Sequence, residues 1–379
     1  MDKPEYRVPT MEEIEGTPWN GRTLISTFSG CGGSCLGFRM AGFRTRWASE
    51  FVPAARQVYK LNHPGVPVDG RDIREVTPEE ILEAAGLSAG EVDVLEGSPP
   101  CASFSLSGKR AGGWGQVKKY SDTRQRTDDL FWEFARILEG LRPRVFVSEN
   151  VPGLLSGVAK GYFIEILQRL KECGYRVSVR VLDAQWLGVP QARRRTIFVG
   201  VRDDLEAKPA HPKPLPYRYT VRDACPWIVK AVHDNSGWVK GKVVTHKPCP
   251  TVTVGGEVSN AYHFKVTRLV DCSEAKAGEE ADDGTAATIE GYAIAEEAKK
   301  MGPGTMSDRY LNLVRAHPDK PCPTVTQTAG NPGAASVIHP TEQRKFTIGE
   351  LKRLCGFPDD FKLTGSYMQQ WERLGRAVP

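Results

Sequence analysis

Cys101 closes the run Gly97-Ser98-Pro99-Pro100-Cys101, which follows the strand-like run 92–96. Two prolines stiffen such a turn, so a thiol there is held at the carboxyl edge of the preceding strand. A thiolate is a strong nucleophile where its pKa is lowered or a base stands close. Alone, this cysteine is equally well a buried residue in a proline turn, but it has company. Glu149-Asn150-Val151-Pro152 ends the next strand and brings a carboxyl to the same crevice. Gln191-Ala192-Arg193-Arg194-Arg195 adjoins a further strand, with Arg193 and Arg195 directed to one side. Nucleophile, acid and arginine at successive strand ends make a catalytic constellation.

A second group lies nearer the N-terminus. Phe28-Ser29-Gly30-Cys31-Gly32-Gly33 is a glycine-rich loop after the first strand, suited to close backbone approach by a cofactor. It is not the dinucleotide GxGxxG, because Cys35 takes the third glycine's place. Glu50 ends the second strand, where an acid can hold ribose hydroxyls, and Asp72 follows in GRDIRE. Loop, acid and second acid form a nucleoside-cofactor layout; a tight turn with two surface acids is the plainer alternative.

These groups need a frame. Strands are expected at 22–28, 47–51, 92–97, 144–150, 177–184 and 195–202, with helices at 34–42, 53–63, 128–141 and 162–175. Over 128–141 the apolar residues Leu130, Phe131, Phe134, Ile137, Leu138 and Leu141 share one helical face. Strands alternating with helices predict an α/β fold with a doubly wound, mostly parallel sheet, whose sites lie beyond the carboxyl ends of the strands. Prolines crowd 209–226 and mark a boundary. The expected division is a catalytic and cofactor-binding domain over 1–207, a smaller irregular β-rich domain over 208–340, and a segment 341–379 that returns to the first. The middle carries a repeat, HKPCPTVTVGG (246–256) and HPDKPCPTVTQTAG (317–330), read as a turn plus strand with a structural role.

With 379 residues, about two domains are expected and a real core can be buried. The net charge of +5 is mild; its distribution says more. Lys109, Arg110, Lys118, Lys119, Arg124 and Arg126 gather in the glycine-containing stretch 102–127, either a phosphate-facing loop or a solvated one. No run of about 20 apolar residues exists, so no membrane span is expected. The polar N-terminus has no signal-like apolar core. Nine cysteines without CxxC or Cys/His ligand spacing argue against a metal and for reduced thiols in a cytoplasmic protein.

Taken together, FSGCGG, the acids of SEF and RDI, SPPC, ENV, QARRR and the closing FTIGELKRLCGFPDDF…QQWERLGRAVP resemble the DNA cytosine-C5 methyltransferases of bacterial or phage type. The resemblance covers most of 22–202 and 344–379 and leaves the middle free, as a variable target-recognition domain would. It implies a class I methyltransferase fold, S-adenosyl-L-methionine as cofactor, and duplex DNA as partner to a monomer. It implies that Cys101 adds to C6 of a flipped cytosine, that Glu149 protonates or hydrogen-bonds N3, that Arg193 holds the base through its carbonyl oxygen, and that Arg195 supports the site. For the cofactor it implies Phe28 and Phe51 beside adenine, Glu50 on the ribose, Asp72 on adenine, Gly30, Gly32 and Gly33 at the methionine portion, and Pro99 close by. Residues 102–127 resemble a mobile catalytic loop, with Ser105, Lys109, Arg110, Lys118 and Lys119 on DNA, joined by Gln191.

The chain departs from the family pattern in three places. Ala102 follows the cysteine where many members carry glutamine. The chain stops soon after the last motif, and the expectation is that the segment 1–20 or a partner chain covers the face a further helix would take, or that the chain is truncated. The last motif reads Gly375-Arg376-Ala377-Val378 where the family has Gly-Asn-x-Val. A permanent cation near a sulfonium is costly unless the transferred group carries a carboxylate. Carboxy-S-adenosyl-L-methionine carries one, so 5-carboxymethylcytosine is an alternative product. The plainer alternatives are that Arg376 pairs with an acid such as Glu372 or holds the cofactor's own carboxylate. A tRNA cytosine methyltransferase and a non-enzymatic DNA-binding regulator are the other readings weighed.

Overall fold

A computed structural model describes residues 3–100, 129–157, 159–228 and 286–378, and the backbone alone of 118–120 and 123–125. The run that leads into the glycine cluster is β1 (Thr23–Thr27). It is followed by β2 (Arg44–Ser49), β3 (Val68–Asp69) and β4 (Val94–Gly97). β5 (Lys118–Tyr120) and β6 (Thr123–Gln125) form an antiparallel pair within the stretch expected to be a loop. β7 (Val145–Asn150), β8 (Tyr175–Asp183) and β9 (Arg194–Arg202) complete the main sheet, and β10 (Val314–Arg315) pairs with β11 (Val337–Ile338) further on.

The main sheet has seven strands in the order β3-β2-β1-β4-β7-β9-β8. All neighbours are parallel except β9, which runs against both β7 and β8. This is the expected mostly parallel sheet. The reversal at β9 follows from the short connection 184–193, since a parallel return needs a crossover of about a dozen residues or more. The strand order turns back between β1 and β4, the place where open α/β sheets bind ligands.

Each inner strand alternates between two helical layers. Leu24 and Val94 face α2 (Gly33–Met40) and α3 (Pro53–Asn62), which follow the short α1 (Met11–Glu15), and pack with Cys35 and Tyr59. Ile25, Leu95 and Phe146 face α4 (Pro78–Ala85), α5 (Leu130–Leu141) and α6 (Ala159–Glu172). α5 buries seven side chains, including every apolar position its spacing marks. At roughly 1.5–3 kcal/mol for each large apolar side chain, that face alone holds the helix to the sheet. The sequence did not announce α4, which buries only Ile81 and Ala85, although Pro78 and the Thr77–Glu80 capping box start it correctly.

A third cluster ties the rest together. Ile14, Leu36 and Val58 pack with α7 (Val221–Ala224), with Val325 and Phe346, and with α9 (Ile348–Leu354) and α10 (Tyr367–Arg376); α8 (Ala295–Lys300) lies in a smaller satellite core. Residues 221–228 and 316–337 thus share a core with the C-terminal segment. The N-terminal segment lies on that segment too: the Tyr6 hydroxyl donates to the Arg353 carbonyl at 2.6 Å, and the Met11 amide to the Asp360 carboxylate at 3.0 Å. Among the described residues no helix is long and apolar enough to cross a membrane.

Candidate active site

β1 delivers the glycine-rich loop to the carboxyl edge of the sheet. Phe28 takes a left-handed backbone (φ 55°), a strained conformation for a bulky residue and one that clusters at functional sites. Gly32 also has positive φ (91°), and a Cβ there would stand 2.3 Å from Nε2 of His63, so only glycine fits. Gly30 (φ 57°) faces open space within the same loop, leaving room for a ligand against the backbone. Gly33 opens α2.

Glu50, at the end of β2, is buried and accepts from the amides of Gly30 and Val52, both at 2.7 Å. Burial raises its pKa, while those amides and the cations of Arg373 and Arg376 oppose the rise. A carboxylate offers about four acceptor sites, so each oxygen keeps capacity for a ribose hydroxyl. Phe51 follows, half-buried at the same edge. Asp72 caps the turn Ile73–Glu75 and pairs with Arg74 at 2.8 Å. Loop, Glu50, Phe51 and Asp72 therefore line the ends of β1, β2 and β3, and their chemistry fits a nucleoside cofactor.

On the other side of the switch point, Pro99 is buried in the turn after β4, and its carbonyl accepts from the Asn150 amide at 3.3 Å. Glu149, the residue before, pairs with Arg195 across β7 and β9, with Nε to Oε1 at 2.7 Å, and takes a further hydrogen bond from Ser98. Burial pushes the Glu149 pKa up, and Arg195, Arg193 and Ser98 moderate the rise. The result is an acid held beside the Pro turn with a raised proton affinity. Cys101, Ser105, Lys109 and Arg110 lie outside the described residues. Lys118 and Lys119 sit on β5 by their backbone. Among the described cysteines, burial pushes the thiols of Cys31 and Cys35 up to about 12 and that of Cys355 to about 11, which suits none of them to nucleophilic work.

Gln191 and Arg193 are both turned inward. Gln191 is fully buried, and its amide reaches the Leu354 carbonyl at 3.3 Å and Cys355 Sγ at 3.1 Å. Arg193 is 2 % exposed, and it donates to the carbonyls of Val325 and Gly375, both at 2.9 Å, and Arg376 at 3.4 Å. Desolvation pulls its pKa down to about 10. Arg195, with 19 % of its side chain still exposed, is the arginine at the face of the site. Of the repeat's two copies, the first lies outside the described residues. The second forms a single parallel bridge between Cys322 and Gln191 rather than a strand, and so supports the QARRR segment.

Arg376 pairs with Glu372 one turn back on α10, with Nη2 at 2.7 Å and Nε at 2.8 Å from Oε1. Sequence reasoning missed Glu96 altogether, a carboxyl buried on β4 whose oxygen accepts from Ser26 at 2.6 Å. The signal was a charge inside an otherwise buried-type run. It also missed a cleft of about 570 Å³ past the end of β8, lined by Trp186, Tyr217, Arg218 and Lys320. There the Arg218 guanidinium lies 4.6 Å over the Trp186 ring, and Asp319 is engaged by Arg222 at 2.6 Å. β8 runs in the same direction as β7, so this cleft opens on the catalytic rim.

Comparison with known proteins bears on the family and the fold. The sequence pattern of the family described as C-5 cytosine-specific DNA methylase matches residues 22–379. The Type II methyltransferase M.NgoPII of Neisseria gonorrhoeae is 29% identical over 97% of this chain and 95% of its own length. M.DdeI of Desulfomicrobium norvegicum is 29% identical over 94% and 85%. Among solved structures, a prophage-encoded protein of E. coli described as a DNA modification methyltransferase aligns with TM-score 0.63 at 22% identity, over 94% of both chains. A Spodoptera frugiperda DNMT2 aligns with TM-score 0.58 at 17% identity, over 94% of this chain and 96% of its own.

Proposed function

We propose, from the premise that this chain belongs to the C-5 cytosine-specific DNA methylase family, that it alkylates C5 of a cytosine flipped out of duplex DNA through a covalent adduct on Cys101. The half-buried Glu149–Arg195 pair beside the Pro99 turn is the observation that carries this reading.

C5 of cytosine is a poor nucleophile. Addition of the Cys101 thiolate to C6 makes the ring enamine-like, with electron density at C5. Glu149, whose burial favours the protonated form, donates to N3, so negative charge does not build up in the ring. Arg195 takes the role first given to Arg193: its guanidinium reaches the carbonyl oxygen of the base while keeping Glu149 in place. Arg193 instead holds the last motif against the site. S-adenosyl-L-methionine, when bound, supplies the electrophilic methyl group that C5 accepts. Glu50, Phe51, Phe28, Asp72 and the loop glycines would hold it. Loss of the C5 proton to water, return of the N3 proton to Glu149 and departure of the Cys101 thiolate with the C6–S electron pair then restore the aromatic ring. Extruding the base costs a few kcal/mol, which DNA contacts must offset. Lys320, Arg218 and Trp186 present cations and a stacking face at the catalytic rim for that purpose. Target recognition is assigned to 208–340.

DNA made with 5-fluorocytosine tests the covalent step, because fluorine at C5 blocks the final elimination. The wild-type protein with cofactor gives a complex that survives denaturing electrophoresis, and Cys101→Ser gives none. Binding of this DNA without any stable complex would overturn the mechanism.

Transfer of a carboxymethyl group from carboxy-S-adenosyl-L-methionine is the second reading. Arg376 contributes to the field at Glu50, so it stands on the cofactor side, but Glu372 already occupies its guanidinium. The additional carboxylate would have to take the place of Glu372. Methyl transfer leaves the pair intact and is the favoured reading: Arg376→Asn then leaves donor preference unchanged. A preference for the carboxylated donor that vanishes in this variant would reverse the choice.

A further inference from the structure

The turn that carries Asp72 is clamped from two sides. It follows β3 and runs through Gly70 and Arg71 to Asp72 and the single turn Ile73–Glu75. From α3, the Arg56 guanidinium donates to the carbonyls of Glu50 at 2.8 Å and Gly70 at 3.4 Å. A Cβ at Gly70 would stand 2.5 Å from that guanidinium, so the glycine makes room for it. From α5, Nη2 of Arg136 donates to the carbonyls of Ile73 at 2.8 Å and Val76 at 3.0 Å. These contacts fix the backbone around Asp72 and leave its side chain to be fixed separately.

Arg74 holds that side chain. Its Nη1 donates to both oxygens of Asp72, Oδ2 at 2.8 Å and Oδ1 at 3.0 Å. Its other edge grips a second carboxylate, Asp129, which stands directly before α5: Nε donates to Oδ2 at 3.2 Å, and Nη2 to Oδ1. A partner only two residues from Asp72 would swing with it. Asp129 is 55 residues from Arg74 along the chain and anchors the guanidinium to a different element. The planar fork of arginine suits this double grip, which the point charge of a lysine does not reproduce. Asp72 keeps 19 % of its side chain exposed, so a ligand can reach the carboxylate.

We propose that Arg74 is a positioning residue for the cofactor: it aims the Asp72 carboxylate at the exocyclic amino group of adenine, and so sets the preference for an adenine nucleoside over one that carries a carbonyl at that carbon. An amino group donates to a carboxylate, whereas a carbonyl oxygen presents only lone pairs to it. A hydrogen bond to a charged group is worth on the order of 10–100-fold in affinity, but only while acceptor and donor are held in line. Without Arg74, other rotamers open to Asp72, and the Asp129 charge repels it across the gap the guanidinium filled. The carboxylate then turns away from the adenine edge. The inference rests on the role given to Asp72 above.

The experiment is calorimetric titration of S-adenosyl-L-homocysteine and its 6-oxo analogue, S-inosyl-L-homocysteine, into wild type, Arg74→Gln, Asp72→Ala and the double variant. Wild type is expected to prefer the adenine ligand by on the order of 10–100-fold. Arg74→Gln should bring that ratio down to a few-fold. In the Asp72→Ala protein it should lower the ratio no further, because the two side chains act as one unit. A merely structural arginine would weaken both ligands alike and leave the ratio at its wild-type value. That result overturns the proposal, as does a ratio that Arg74→Gln still lowers in the Asp72→Ala protein. If wild type binds neither ligand, or both equally, the role of Asp72 falls and the proposal with it, while the covalent complex with 5-fluorocytosine DNA still reads the reaction separately. If Arg74→Gln does not fold, Asp129→Ala, which removes the far grip of the fork, takes its place: a lowered ratio supports the proposal and an unmoved one overturns it.

Discussion

Arg193 and Arg195 differ by two positions and by everything that surrounds them. Spacing alone puts both on one side, and the sequence gives no reason to separate them. The partners that do so, Val325 and Gly375, are 132 and 182 residues away along the chain. No local pattern encodes such contacts. Arg193→Ala strands several buried carbonyls, each worth ~1–3 kcal/mol, so it is expected to lower the unfolding temperature markedly. Arg195→Ala is expected to unfold near the wild-type temperature but to lose ~10²–10³-fold in the single-turnover rate, as when one donor to developing charge is removed. Thermal unfolding and rapid-quench kinetics on both variants check this. The opposite pairing of effects would restore the roles first assigned.

At the scale of elements, much was legible. The 3.6-residue periodicity of α5 and the strand-ending motifs placed α5, β1, β4 and β7. The Thr347–Glu350 and Ser366–Gln369 capping boxes start α9 and α10 as their sequences indicate. What stayed hidden was set by tertiary contact. Gln191 reads as a polar group beside three arginines, yet α9 closes over it. Trp186 and Arg218 are 32 residues apart and meet only because the segment after β9 folds back to the end of β8. The cleft they line carries a prediction of its own. Substitution of Arg218 and Lys320 by alanine should weaken duplex binding several-fold and lower its salt dependence by about one to two released counterions. The dissociation constant for S-adenosyl-L-methionine should not move. Fluorescence anisotropy at several salt concentrations reads both quantities; an unchanged salt slope would remove this cleft from the DNA surface.

Across the whole molecule, the C-terminal segment is the clasp of the fold. α10 enters the third core through Trp371, whose Nε1 donates to the Thr326 carbonyl at 3.0 Å. Gly375 packs so closely on the backbone of Thr326 that a Cβ would stand 2.7 Å from it. Together with Arg193, these contacts fix the last motif at the edge that carries Glu50, and they join the N-terminal segment, the cofactor side and the base side into one unit. The fold class and the order of the motifs could both be read from the sequence. The core shared across the 208 and 340 boundaries could not, because its residues come from stretches with no common pattern. The central claim, that this unit alkylates C5 of cytosine in DNA, is tested most directly by nucleoside mass spectrometry. Genomic DNA free of modified cytosine is incubated with the protein and S-adenosyl-L-methionine, digested and separated. The account predicts 5-methyl-2′-deoxycytidine from the wild type and none from Cys101→Ser. A methyl group on N4 of cytosine or on adenine, or 5-methyl-2′-deoxycytidine undiminished in Cys101→Ser, would contradict it.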